Sequence, residues 1–141
     1  MQLVQAPPVE YTDLETGLSD EAFESPLPGN IIKLEQLIRS VESGQAYTQE
    51  VAEVVDKLIG SAYAYRKLYI NRVRPALERE QIDPSVAERF EIGMSSYIEG
   101  LEICRNFAED PQMDYLYNGL DQASAAALEL NELLSELEEY F

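Results

Sequence analysis

Residues 116–141 carry a spacing that few folds can use. Leu116, Leu120, Ala123, Ala127, Leu130, Leu134, Leu137 and Phe141 follow one another at alternating steps of four and three. Only an α-helix turns that spacing into one continuous apolar face, and a heptad seam of this length asks for a neighbour to pack on.

The residues before it read the same way. Ile31, Leu34, Ile38 and Val41 step along one face with Leu37 beside them, between Asn30 as a cap and Gly44 as a stop. A second helix is expected from Thr48 towards Gln81, its inner stripe running from Val51, Val55 and Leu58 to Tyr65, Tyr69 and Val73. Pro75 interrupts it. A proline removes one backbone hydrogen bond and crowds the carbonyl of Asn71, so a disturbance is expected over residues 71–75. Asp83-Pro84 and Asp110-Pro111 each place an Asp cap before a proline, opening a third and a fourth helix. The third carries Val86, Phe90, Met94, Tyr97, Leu101, Cys104 and Ala108 inward.

Short apolar runs such as Leu68-Tyr69-Ile70 sit inside helical periods and lack flanking turn residues, so no strand competes. The expected fold is an all-α antiparallel bundle of three long helices and one short, over residues 30–141. Residues 1–29 are expected to form an acidic, proline-containing arm, extended or ordered by a partner.

Charge divides the chain in the same places. The 141 residues hold 27 acids, 10 bases and no His, a formal charge of −17. Residues 1–30 hold six of the acids and no base, and residues 107–141 hold nine and no base. All ten bases lie in residues 31–106, and half of them are Arg66, Lys67, Arg72, Arg74 and Arg79. A chain so acidic repels phosphate, which argues against direct nucleic-acid binding. The basic cluster reads as internal neutralisation of acidic segments passing nearby, with a local anion site as the sharper reading.

No apolar run approaches the roughly 20 residues of a membrane span, and no basic region precedes the apolar N-terminal residues as in a secretory signal. One Cys allows no internal disulfide, which fits a reducing, cytoplasmic compartment. Cys104 has no His to activate it and lies on the apolar stripe of its helix, so a buried structural thiol is expected.

Carboxylates three apart share a helix face. A Mg²⁺-dependent all-α nucleotide pyrophosphohydrolase would use such pairs on two facing helices, and Glu50, Glu53, Glu88 and Glu91 are the set to consider. Acids at that spacing are also what an ordinary solvated face of so acidic a chain would show. A di-iron bundle needs His and is excluded. Gly60, Gly93, Gly100 and Gly119 lie inside helical patterns, where each costs about 1 kcal/mol against Ala. Close helix approach, beside Ala123 and Ala127, explains them; a partner-binding groove is the functional alternative.

The composite expectation is a non-catalytic interaction protein, without metal or cofactor: an adaptor, scaffold or small chaperone working through apolar helix surfaces. Tyr11, Leu14 and Phe23 of the arm and Leu130, Leu134, Leu137 and Phe141 of the last helix are the expected protein-binding residues. Self-association through that helix is expected. The alternatives are an acidic inhibitor that imitates nucleic acid on a basic partner, and the Mg²⁺-dependent hydrolase.

Overall fold

The computed structural model describes residues 25–81 and 83–138. Every regular element among them is helical. In order they are α1 (Leu27–Glu42), α2 (Thr48–Leu68), a π turn (Tyr69–Val73), α3 (Arg74–Arg79), α4 (Ser85–Arg105) with a 3₁₀ turn (Asn106–Ala108), and α5 (Met113–Glu138). α2, the π turn and α3 form one rod, so the bundle has three long members and one short.

The disturbance expected before Pro75 takes the form of the π turn. Arg74 donates its N–H to the carbonyl of Tyr69, five residues back, where an α-helix would use four. The widened turn absorbs the hydrogen bond that Pro75 cannot make. The rod then ends at Gln81, which takes a left-handed conformation with φ 59°.

α4 and α5 pack most intimately. A Cβ on Gly100 would meet the Ala123 backbone nitrogen at 2.7 Å, and one on Gly119 would meet the Cys104 backbone nitrogen at 2.9 Å. A Cβ on Gly93 would meet Leu130 at 2.7 Å. Each advance along α4 is matched by a retreat along α5, so the pair is antiparallel. The glycines at 93, 100 and 119 thus serve close approach, and the space a partner's side chains would have used is filled by α5. Gly60 differs, with open space where its Cβ would be.

The rod lies on the other side of α4. Tyr69 stacks on Phe90 with centroids 3.6 Å apart and planes inclined by 11°, and Tyr65 meets the same ring at 6.1 Å. Arg66 pairs with Glu91 at 2.7 Å and Arg105 with Asp56 at 2.9 Å, which fixes this pair as antiparallel too. α1 closes the bundle between α2 and α5: Asn30 donates to the Ser61 hydroxyl, and Tyr117 of α5 donates to Glu42.

Several local expectations need correction. Asn30 is not the cap of α1. The helix begins at Leu27, whose N–H is taken by the Ser25 hydroxyl, and Asn30 lies in its first turn with 5% of its surface exposed. Proline suits a first helical turn because its missing N–H would have no partner there, and that preference outweighs Asn30 as a cap. Asp83 does cap α4, accepting the Ser85 N–H at 2.9 Å. Asp110 does not cap α5, which starts at Met113; its carboxylate accepts instead from the Tyr115 hydroxyl at 3.3 Å and from Gln112.

The leucine seam of α5 also needs correction as an expected protein-binding surface, since it is covered within the single chain. Leu130, Leu134 and Leu137 are 1%, 8% and 2% exposed within the single chain. Ala126 and Leu133 join them, widening the seam into a broad stripe suited to a core. The outward face of α5 carries Asp121, Leu128, Glu129 and Glu132 instead. Phe141 lies outside the described residues. No described helix is long and apolar enough to cross a membrane.

Two experiments check this packing. Gly119→Ala should cost roughly 2 kcal/mol or more in urea unfolding, because the new methyl meets backbone that cannot yield. Gly60→Ala should instead stabilise by about 0.5–1 kcal/mol, since nothing opposes the methyl. Leu134→Asp with Leu137→Asp should abolish the cooperative helical transition seen by circular dichroism; a folded monomer would place the seam outside the core.

Candidate binding groove

α1 and α2 approach each other less closely than α4 and α5, and the space between them is a groove of about 530 Å³. Its position follows from local sequence. The loop between the two helices turns at Gly44, which takes φ 81°, a left-handed value that glycine adopts without strain. α2 then starts at Thr48, and the Glu50 carboxylate accepts the Tyr47 N–H at 2.8 Å. That hydrogen bond to the charged form holds the Glu50 carboxyl below its ordinary value.

The floor of the groove is apolar: Leu37 of α1, Ala46 of the loop, Val54 and Leu58 of α2. The walls are polar, with Lys33, Gln36 and Ser40 on one side and Glu50 and Lys57 on the other. One end is closed by the buried Asn30 and by Ser61, joined at 3.1 Å. The Tyr97 hydroxyl is buried near Asn30 without a hydrogen bond of ordinary geometry. An apolar floor with a few convergent polar groups is the usual make-up of a ligand or peptide site. Leu37 and Leu58 belong to the core, at 6% and 4% exposed, and only their edges reach the groove, whereas Val54 is half-covered; sequence periodicity cannot tell these two degrees of cover apart.

The expected site residues are scattered. Tyr11, Leu14 and Phe23 lie outside the described residues. Within the basic cluster, Arg66 reaches across to Glu91, while Arg74 pairs with Glu78 of its own helix at 3.5 Å. Lys67 and Arg79 are exposed and Arg72 is half-buried. The cluster is spread along the rod, with Arg66 turned to α4, and does not converge on a point.

The four carboxylates considered for Mg²⁺ are not brought together, which removes the geometry a shared cation would need. Asp56 faces Arg105, so Glu53 lies near the end of α4, whereas Glu91 faces Arg66 about 20 Å back along it at 1.5 Å per residue. Glu53 accepts from Gln49, and Glu91 is engaged by Arg66. Among the described residues, no group of three or more His, Cys, Asp or Glu has the arrangement of a metal site.

Comparison of the chain with family models, with curated proteins and with solved structures finds no match.

Cys104 is fully buried on α4, its thiol directed at the carbonyl of Leu116 at 3.7 Å. Burial pushes the thiol from 9.0 up to about 12. Burial likewise pushes Tyr65 and Tyr97 from 10.0 up to about 12, against weaker pulls from Ser25 and Asn30. All three groups hold their protons more tightly when folded. Their contribution to stability is therefore complete below about pH 9 and is lost as pH rises towards 12. Each group should steepen the alkaline fall by about 1.4 kcal/mol per pH unit between its two values. Urea unfolding from pH 8 to 11 checks this. Native Cys104 should resist a thiol reagent at pH 8 and react only after unfolding.

Proposed function

We propose that this protein is a non-catalytic interaction protein. Its α1–α2 groove holds an apolar, acid-bearing segment of a protein partner, as an adaptor, scaffold or small chaperone would. The observation that carries the reading is the groove itself: an apolar floor of Leu37, Val54 and Leu58 between Lys33 and Lys57. Those two cations are two of the three lysines in the chain, and both rim the same cleft. Tyr47, 58% exposed where α2 starts, sets its ring edge-on to Phe107 at 6.0 Å and adds an exposed aromatic next to Ala46 of the groove floor. Tyrosine in such a place offers contact area at low entropic cost.

A second reading, the acidic inhibitor that imitates nucleic acid, draws on the opposite face. Glu99 and Glu102 of α4 and Glu129, Glu132 and Glu136 of α5 are all exposed there. Glu99 is steadied by Gln122 at 2.8 Å, and Arg89 pairs with Glu136 at 3.3 Å.

A photo-reactive residue at Gln36, on the groove wall, should become joined to a protein partner in the native cell. The same residue at Asp121 should not. Val54→Glu should remove the Gln36 adduct without changing the helical spectrum, because Val54 lies half-covered at the edge of the core, where a glutamate can turn to solvent. The adduct should also survive a rise to 0.5 M salt, since apolar burial is not screened. Adducts from Asp121 alone, lost at high salt, would overturn the groove reading in favour of the acidic face.

A further inference from the structure

We propose that residues 11–24 of this chain dock in cis along the flank of the π turn and α3, where the rod continues past the start of α1. This proposal is independent of the groove and uses a different part of the surface.

The geometry begins with a mismatch in length. α1 starts at Leu27, and its first turn lies level with Ser61, to which Asn30 donates. Ser25 lies beside the Tyr65 hydroxyl. From Tyr65 the rod runs fourteen residues further to Arg79, about 21 Å at helical rise. α1 packs alongside α2 but not alongside the π turn or α3. α4 accompanies this distal part on one side through the Phe90 stack. On the side that α1 would have covered, the described residues supply no helix.

The line that α1 follows on the rod can be extended. Ser61 and Tyr65 are its contacts, and the next positions on that face are Leu68 and Arg72, both half-buried. Beside them lie Tyr63, half exposed, then Lys67 and Ile70 at steps of four and three. The flank thus carries Tyr63, Leu68 and Ile70 as apolar surface, with the bases Lys67 and Arg72 among them. Lys67 and Arg79 enter none of the ion pairs among the described residues. Arg74 is in an exposed pair that holds it weakly, while Arg66 is committed to Glu91 of α4.

The preceding segment has the matching composition. Residues 11–24 contain Asp13, Glu15, Asp20, Glu21 and Glu24 with no base, and Tyr11, Leu14, Leu18 and Phe23 as apolar groups. It joins the bundle at Ser25, at the near end of the flank. Seven extended residues or fourteen helical ones span about 21 Å, so either form of these fourteen residues reaches Arg79. Individual surface pairs contribute little, so the apolar groups must supply part of the docking.

The three lysines make the test decisive. Lys33 and Lys57 rim the α1–α2 groove, and Lys67 alone stands on the distal rod. Zero-length carbodiimide cross-linking of the full chain, read by peptide mass spectrometry, should join Asp20 or Glu21, the acids that fall level with Lys67, to Lys67 and not to Lys33 or Lys57. Amide exchange of residues 11–24 in the full chain should be at least about fivefold slower than for an unstructured peptide. Lys67→Glu with Arg79→Glu, both at exposed positions, should remove that protection while leaving α4 and α5 unchanged. Cross-links to Lys33 or Lys57, or none, would overturn the proposal. So would exchange of residues 11–24 at the unstructured rate, or protection that survives the double charge reversal.

Discussion

The backbone contact between α4 and α5 at Gly100 and Gly119 governs where every other element lies. Neither residue has a side chain, so the helices meet backbone to backbone. That approach seats Cys104 under the Leu116 carbonyl and turns Ala123, Leu130 and Leu137 into the interior. It also sets the register at which Gly93 receives Leu130. With α5 committed to α4, the opposite side of α4 is left for the rod, which docks through Phe90, Tyr65 and Tyr69. α1 closes the remaining place. It is the shortest long-range partner, and its looser fit against α2 leaves the groove open.

Electrostatics orients this assembly more than it holds it together. Arg66–Glu91, Arg105–Asp56 and Arg89–Glu136 each link two helices, yet their side chains are between about a third and three-fifths exposed. Pairs of that kind contribute about 0–1 kcal/mol each. Their consequence is distributional. They consume a few of the cations in a chain of charge −17, and they leave the acids of α4 and α5 facing solvent. The result is a molecule whose cations rim the groove and the distal rod while one broad face stays anionic.

Much of the fold was legible because helical periodicity reports burial directly. Val86, Phe90, Met94, Tyr97, Leu101 and Cys104 are all buried, as their spacing requires. The Asp83 cap and the break before Pro75 were legible for the same reason: each is a local consequence of backbone hydrogen bonding. Asn30 and Asp110 were misread because a cap residue can be claimed by a tertiary or neighbouring side chain before it serves its own helix. Asn30 was claimed by Ser61, and Asp110 by Tyr115 and Gln112. The carboxylate pairs were separated by a register between α2 and α4 that no spacing within one helix encodes.

What the amino-acid order determined by itself is the helical class, the boundaries set by caps and prolines, and the identity of the residues that seek cover. Those are properties of a few consecutive residues and their backbone groups. Which apolar face meets which was decided by tertiary structure alone. The α5 seam could have faced a second copy of the chain. It faces α4 instead, because three glycines on two different helices allow an approach closer than any exposed surface could match. The groove was decided in the same way. Val54 carries the same period as the core, and only the distance between α1 and α2 leaves it, beside the edges of the buried Leu37 and Leu58, lining a cleft.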